Sequence, residues 1–457
     1  VKSLSFNPNY APALTNLGSI YLKAGKKLEA LSLQIKATES DKTLPAAWYN
    51  LSNTYLQLRK LKEAKISIQK TIELNSNLFN SHFLYSSILL EENNLLAAQK
   101  SLLKTIELKP DHFIAYFLLA STYIKQKKFK KAIVHLQKVI SLKPNYIDAY
   151  TELGMVFKNI RKLDSAEEYL RKAIEVQPDS AIAYSNLGSL LMDINKLEEA
   201  LTITKKSIEL DSNLATAHYN LGNTHYKLNN LNSAINSYEN AIRIKPNFIK
   251  AIYNIASIFK ETNNKIKAKA YLNKVIELNQ NYPEAYNKLG NILLEENKIS
   301  SSIQYYLKAL KYNSNYPEAY YNIGYAYYKQ GDLDAAINSY RKAIEIRPNY
   351  SEAHYNLGNS LYENGEFESA IKSFQQTLSI NENSPEARWN LSFAQMFIGD
   401  YKSGWKNYEA RWNIENAKKP HANPNIPKWY GEKLDKGEKL LVVSEQGLGD
   451  TIHFMRY

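Results

Sequence analysis

The sequence predicts an all-α protein built as a solenoid of stacked, antiparallel helix pairs. Three observations support this prediction: similar segments return every 34 residues, small residues hold two fixed places in each unit, and a proline or polar residue closes the unit. A single helix pair cannot bury its apolar face alone, whereas stacked pairs share one continuous core. Of the 457 residues, 44% are hydrophobic and 23% are charged, so a core of this kind can be buried.

The 34-residue period is visible in short segments near the start of the units. NLGSIY (16–21), NLGNTH (220–225) and NLGNSL (356–361) are separated by multiples of 34 residues. No gap interrupts the period, so the chain divides into the end of an incomplete unit over 1–10 and twelve units over 11–412. The units begin at residues 11, 45, 79, 113, 147, 181, 215, 249, 283, 317, 351 and 385.

The first half of each unit predicts an amphipathic helix. Apolar residues at the fourth, seventh and eleventh places are three or four residues apart, which puts them on one face of a helix. A small residue at the eighth place, such as Gly18 or Gly188, lets a neighbouring helix approach closely. Most of the 35 tyrosines recur at helical spacings, and we interpret them as packing residues.

The second half of each unit predicts another helix after a polar turn. Alanine holds the twentieth place in ten units, and Ser302 and Gly404 replace it in the ninth and twelfth units. Proline or a polar residue at the thirty-second place then ends the helix, because proline cannot continue one. The alanines are Ala30, Ala64, Ala98, Ala132, Ala166, Ala200, Ala234, Ala268, Ala336 and Ala370.

These features together resemble the tetratricopeptide repeat, in the period and in the residues at the eighth, twentieth and thirty-second places. The resemblance covers about residues 1–412. It implies a right-handed superhelix whose first helices line a concave groove. It also implies that a protein or peptide is the partner in that groove.

A row of asparagines holds the sixth place of the first helix, away from the buried stripe. Each carboxamide offers donors and an acceptor, so it could pair with one peptide unit of an extended chain. The row resembles the asparagine ladder of O-linked N-acetylglucosamine transferases, and Leu84, Leu118, Glu152 and Lys288 interrupt it. Asparagine is also simply a common polar residue at an exposed place, and both interpretations stay open. The predicted peptide-binding residues are Asn16, Asn50, Asn186, Asn220, Asn254, Asn322, Asn356 and Asn390.

The net charge of +13 raises nucleic-acid binding as an alternative. The lysines do not favour it, because many recur every 34 residues, as Lys36, Lys70 and Lys104 do, and so spread over a solvated face. The eight histidines are dispersed and cysteine is absent, so we predict no metal site and no cofactor. No apolar run reaches the roughly 18 residues of a membrane span. The lack of cysteine fits a reducing compartment, and we predict a cytoplasmic chain without a span.

The 34-residue period ends near residue 412, and a different pattern follows it. Residues 413–438 contain three prolines and predict an extended linker. The apolar run LLVV, followed by Gly447 and Gly449, predicts the first β-strand and loop of a Rossmann-like α/β domain over 439–457. Neither the dinucleotide fingerprint nor the P-loop is complete in this segment.

Residues 429–457 resemble the junction at which bacterial proteins join tetratricopeptide repeats to a heptosyltransferase-like domain of the GT-B type. The resemblance implies transfer of sugar from a nucleotide sugar to a protein or glycan, with Asp450 as the catalytic base. It places Gly447, Gly449 and His453 in the substrate loop. We interpret the chain as an inactive fragment of such a glycosyltransferase, in which only the intact parent binds the nucleotide sugar. The alternative is a non-catalytic scaffold for protein–protein interaction.

Overall fold

The structure, a computed structural model, describes residues 2–414, and all regular structure in this range is helical. The predicted β-strand and the loop with Gly447, Gly449, Asp450 and His453 lie outside the described residues, as does most of the predicted linker. The chain divides into two compact units, one ending at Pro246 and one beginning at Asn247. Within the described range, no helix is both long and apolar enough to cross a membrane.

The first unit contains a short helix followed by the helix pairs of repeats one to seven. Each repeat starts at the residue that the period predicts. The helices are α1 (Lys2–Phe6), α2 (Ala11–Lys23), α3 (Lys27–Ser40), α4 (Pro45–Gln57), α5 (Leu61–Leu74), α6 (Phe79–Glu91), α7 (Leu95–Leu108), α8 (Phe113–Lys125), α9 (Phe129–Leu142), α10 (Ile147–Asn159), α11 (Leu163–Val176), α12 (Ala181–Asp193), α13 (Leu197–Leu210), α14 (Ala215–Lys227) and α15 (Leu231–Ile244).

The second unit contains repeats eight to twelve, with the same pairing of a first and a second helix. Repeat twelve differs, because its second helix has 8 residues and a 3₁₀ helix over Glu409–Asn413 follows it. The helices are α16 (Ile249–Glu261), α17 (Lys265–Leu278), α18 (Pro283–Glu295), α19 (Ile299–Tyr312), α20 (Pro317–Gln330), α21 (Leu333–Ile346), α22 (Ser351–Glu363), α23 (Phe367–Ile380), α24 (Pro385–Phe397) and α25 (Tyr401–Tyr408).

A residue in the left-handed conformation follows the first helix of every repeat. It holds the fifteenth place, and its φ lies between 57° and 86°. The chain then returns a backbone N–H to the last helical turn, as Lys26 does to the carbonyl of Tyr21 at 2.9 Å. Glycine takes this place in four repeats, and Asn, Lys or Arg takes it in eight. The same hairpin therefore recurs every 34 residues.

The core between the two helices of a repeat is built from the small residues that the sequence indicated. All ten alanines at the twentieth place are fully buried, and so is Ser302. The ring at the twenty-fourth place lies directly over the glycine at the eighth place in four repeats, where an added Cβ would come within 3.0 Å of a ring carbon. These pairs are Gly222 and Tyr238, Gly290 and Tyr306, Gly324 and Tyr340, and Gly358 and Phe374.

The eighth place also holds residues larger than glycine, and glycine itself also faces partners smaller than a ring, as Gly154 faces Leu170. Where the twenty-fourth place holds an aliphatic residue, the eighth place can hold alanine or serine, as in Ala120 with Leu136 and Ala256 with Leu272. These side chains are fully buried, as are the rings of Tyr306, Tyr340 and Phe374. Dense packing of this kind makes each pair sensitive to a change of one methyl group.

Candidate functional site

First helices of successive repeats contact one another within each unit. In the first unit α2 contacts α4, and α12 contacts both α10 and α14. In the second unit α18, α20, α22 and α24 contact one another in series. The second, fifth, sixth and ninth places of these helices are three or four residues apart, so they share one side of the helix. We call this side the first-helix face.

The structure places the predicted asparagines on the first-helix face, in two groups. Asn16 is exposed, and the other seven are half-buried. The first unit carries Asn16, Asn50, Asn186 and Asn220, and the second unit carries Asn254, Asn322, Asn356 and Asn390.

Several of these carboxamides are held in place by the preceding repeat, a feature that the sequence analysis missed. In each case the side-chain Nδ2 donates to the residue at the fifth place of the previous first helix. Sequence spacing could have suggested the contact, because donor and acceptor are always 35 residues apart. The bonds run from Asn220 to the Ser185 hydroxyl at 3.0 Å, from Asn322 to Asn287 Oδ1 at 3.0 Å, from Asn356 to the Tyr321 hydroxyl at 2.9 Å, and from Asn390 to the Tyr355 hydroxyl at 3.1 Å.

These hydrogen bonds decide which atom of each carboxamide can bond to another molecule. Asn390 uses its Nδ2 twice, because it also donates to Asn359 Oδ1 at 2.8 Å. The side-chain carbonyl oxygens of Asn322, Asn356 and Asn390 accept no hydrogen bond from any described residue. Each is therefore an oriented acceptor on the face.

Lys288 interrupts the asparagine row in repeat nine and adds a positive charge to the face. Its Nζ donates to the Ser257 hydroxyl at 2.8 Å and lies 4.9 Å from the centre of the Tyr253 ring. Burial lowers the pKa of the Lys288 ammonium. In repeat five, burial raises the pKa of the Glu152 carboxyl at the same place, with a further contribution from nearby Asp148.

Aromatic rings stand beside the sixth place in four repeats, two of which carry asparagine there, and they form pairs that the sequence analysis treated only as packing. A ring at the fifth place meets a ring at the thirty-fourth place of the same repeat. The centroid distances are 4.7 Å for Phe83 and His112, 5.2 Å for Phe117 and Tyr146, 5.3 Å for Tyr253 and Tyr282, and 5.3 Å for Tyr321 and Tyr350.

Carboxylates hold the second place in repeats nine to twelve, and the sequence analysis did not single them out. They are visible as the recurring segment PEA at 283–285, 317–319 and 385–387. Burial raises the pKa of the Tyr321 hydroxyl, the bond from Asn356 lowers it, and the nearby Glu352 carboxylate raises it. The second place therefore contributes negative charge beside the rings. The four carboxylates are Glu284, Glu318, Glu352 and Glu386.

An open cavity of 270 Å³ lies between repeats eleven and twelve, at the start of their first helices. It is polar and contains two carboxylates and a tyrosine. The residues that line it are Ser351, Glu352, Tyr355, Thr377, Asn381, Ser384 and Glu386.

Two tyrosines at the twenty-fourth place differ in their hydrogen bonding. The Tyr306 hydroxyl donates to Asn291 Oδ1 at 2.8 Å, whereas the buried Tyr340 hydroxyl has no partner among the described residues. Repeat ten carries Tyr325 where repeat nine carries Asn291. Burial raises the pKa of both hydroxyls.

Replacing these tyrosines by phenylalanine is expected to change stability in opposite directions. Tyr340→Phe removes a buried hydroxyl without a partner and should raise the free energy of unfolding by about 1 kcal/mol. Tyr306→Phe leaves Asn291 without its donor and should lower it by about 1 kcal/mol. Urea denaturation followed by the helical circular dichroism signal measures both. Equal losses of stability in the two variants would contradict the difference in hydrogen bonding between Tyr306 and Tyr340.

Sequence comparison shows which family the chain belongs to. The matches fall on the repeats described above, and seven of them coincide with whole predicted units. The models described as TPR repeat match residues 188–229, 290–331 and 324–365, and those described as tetratricopeptide repeat match 11–44, 45–78, 113–146, 147–180, 215–248, 249–282 and 351–384.

The chain is a tetratricopeptide-repeat (TPR) protein. Proteins built from these repeats typically mediate protein–protein interaction. The prediction of the repeat family is thereby confirmed. No curated protein matches this TPR chain.

Solved structures similar to this TPR protein include the three that follow. The APC/C hetero-tetramer Cut9–Hcn1 is 16% identical over 86% of this chain and 91% of that chain, with a TM-score of 0.47. Yeast Tom70 is 17% identical over 85% of this chain and 96% of that chain, with a TM-score of 0.45. YrrB, described as a TPR protein with an unusual peptide-binding site, is 30% identical over 40% of this chain and 95% of that chain, with a TM-score of 0.34.

Proposed function

We propose that the first-helix face binds an extended polypeptide and that the chain is a scaffold for protein–protein interaction. The observation that carries this proposal is the uniform orientation of Asn322, Asn356 and Asn390 by the preceding repeats. Each leaves a side-chain carbonyl oxygen that can accept a hydrogen bond. An extended chain presents backbone N–H groups at regular intervals, and these groups require partners when water is excluded.

Binding through the backbone has a chemical consequence for specificity. Backbone N–H groups are common to every residue except proline, so the asparagine row would hold many sequences with similar affinity. Rings at the fifth place, such as Tyr321 and Tyr355, border the row and can pack on the side chains of the bound polypeptide. The row supplies general affinity in this proposal, and the neighbouring side chains supply selectivity.

Removing two carboxamides is expected to weaken peptide binding. We predict that Asn356→Ala combined with Asn390→Ala lowers the affinity for the best-bound members of a synthetic 12-residue peptide library about tenfold, because each hydrogen bond contributes about 0.5–1.5 kcal/mol. Fluorescence anisotropy with labelled peptides measures the change.

A matched variant separates binding from the inter-repeat bonds. Tyr321→Phe combined with Tyr355→Phe removes the acceptors of Asn356 and Asn390 but keeps both carboxamides. This variant should lose less affinity than the asparagine variant. If the alanine variant binds as the unchanged chain does, the asparagines are not the binding residues. If no library member binds the unchanged chain, the proposed function itself is wrong.

Sugar transfer is the second candidate function, and it is supported by the resemblance of residues 429–457 to the junction before a heptosyltransferase-like domain. Asp450, Gly447, Gly449 and His453 stay predicted site residues of that activity, and the nucleotide sugar stays its predicted donor. Because the chain itself is predicted to be inactive, a nucleotide-sugar turnover assay with the intact parent and its Asp450→Asn variant tests this candidate. Turnover that the substitution abolishes would establish a transferase, and the scaffold would then present its acceptor.

A further inference from the structure

We infer that the cavity between repeats eleven and twelve binds a cationic side chain, that of arginine or lysine, carried by the polypeptide on the first-helix face. This inference rests on the proposed function, since it names the chemistry of the partner. The observation behind this inference comes from repeat ten, where an arginine of the chain itself fills the corresponding place.

Repeat ten shows how this face holds a cation. The Arg347 guanidinium forms an ion pair with Glu318, at the second place of the same repeat. It also lies 4.8 Å from the centre of the Tyr350 ring. A carboxylate and an aromatic face together stabilise a cation by charge attraction and by cation–π interaction.

Repeat eleven keeps the carboxylate of this arrangement but lacks the cation. Glu352 stands where Glu318 stands in repeat ten, whereas Asn381 stands where Arg347 does, and Ser384 replaces Tyr350. These two smaller side chains leave the 270 Å³ cavity, which Glu352, Asn381 and Ser384 line. The cavity is therefore the place that the chain fills with its own arginine one repeat earlier.

The charge and rings around the cavity also suit a cation. Glu386 of repeat twelve brings a second carboxylate to the cavity, and Tyr355 brings a ring. Glu352 and Glu386 are exposed and lie within ion-pair distance of no described residue, in contrast to Glu318, although the Arg347 guanidinium acts electrostatically on Glu352. Asn356 and Asn390 lie one place beyond the fifth-place residues Tyr355 and Trp389, so an extended chain held by these amides passes beside the cavity.

Three peptides of equal length test this inference. They are 12-residue peptides in which glycine alternates with arginine, glutamate or glutamine, and anisotropy at low salt measures their affinities for the full chain. We expect the arginine peptide to bind most tightly, even though the chain has a net charge of +13. Non-specific attraction would favour the glutamate peptide instead, so tighter binding of that peptide would overturn the inference.

A substitution that fills the cavity with a side chain of this chain provides the specific test. Asn381→Arg supplies the residue that repeat ten carries at this place, and we expect it to weaken binding of the arginine peptide about tenfold by occupying Glu352. Asn338→Arg is the matched control, because it adds the same charge at an exposed place on α21. Equal effects of the two variants would overturn the inference.

A second variant keeps the test independent of any folding defect. In Glu352→Gln the new side chain has nearly the same shape as glutamate but carries no charge. This variant should weaken binding of the arginine peptide about as much as Asn381→Arg does. Unchanged binding by Glu352→Gln would contradict the cation site. If binding survives both changes but falls in the Asn356→Ala and Asn390→Ala variant, the proposed function stands and the cation site is wrong. If none of the three peptides binds the unchanged chain, the cation site is wrong, and the peptide library decides the proposed function.

Discussion

Phe374→Ala is expected to lower the free energy of unfolding by about 3–5 kcal/mol, the usual cost of emptying the place of a buried phenylalanine. The Phe374 ring is fully buried, lies over Gly358 and has its centroid 6.1 Å from that of Tyr355. Because Gly358 has no side chain, it cannot fill the space. Urea denaturation measures the overall loss, and hydrogen exchange of the α22 and α23 amides shows where it is concentrated.

An exposed phenylalanine in the same unit provides the control for this prediction. Phe397 is 64% exposed, and its ring is stacked on Phe367 at a centroid distance of 4.7 Å. Phe397→Ala should therefore cost only about 0.5–1.5 kcal/mol, the contribution of an aromatic pair. Similar losses in the two variants would contradict the packing of Phe374. Stability in repeat arrays is carried by each repeat and its neighbours, so the damage should centre on repeats ten to twelve.

Gly290→Ala is expected to destabilise repeat nine, although alanine is ordinarily the better helix former by about 1 kcal/mol. The added methyl group would lie 2.4 Å from Cε1 and 2.6 Å from Cδ1 of Tyr306. Tyr306 is fully buried, so its ring cannot move aside. Overpacking of this kind costs about 1–3 kcal/mol, and after the gain in helix propensity the net loss should be about 1 kcal/mol by urea denaturation.

A second substitution is expected to rescue the first. Gly290→Ala with Tyr306→Leu recreates the pair that repeat four forms from Ala120 and Leu136. The double variant should be more stable than Gly290→Ala alone, which is the reverse of what independent losses would give. A double variant that is less stable than either single variant would show that the two places do not pack as a pair.

The helix pairs and the residues at which they begin could be predicted because the same residue pattern recurs twelve times in the chain. Every first helix begins at the predicted residue, and each alanine at the twentieth place is buried as its spacing indicated. The spacing of residues along one helix is local information, since steps of three and four residues keep side chains on the same side of that helix. The small eighth place was predicted for the same reason, but the contact of glycine with a ring in repeats seven, nine, ten and eleven could only come from the packing of two helices.

The candidate site could be predicted only in part, because it depends on contacts between repeats. The sequence placed Asn322, Asn356 and Asn390 on one side of their helices, and the structure agrees. It did not indicate that Tyr321 and Tyr355 would orient two of them, because such a bond needs the distance between neighbouring repeats. The cavity beside Glu352 was missed for a similar reason, since it results from two small residues that replace Arg347 and Tyr350.

The bonds between successive repeats also constrain how the first-helix face can change over evolutionary time. The carboxamide of Asn356 belongs to repeat eleven, yet the tyrosine that orients it belongs to repeat ten. A substitution in either repeat alters the first-helix face of both, and deletion of one repeat gives its neighbour a different residue to which the amide must donate. Under the proposed function, a new binding preference therefore requires compensating changes in adjacent repeats, and a transplanted single repeat would not carry its selectivity with it.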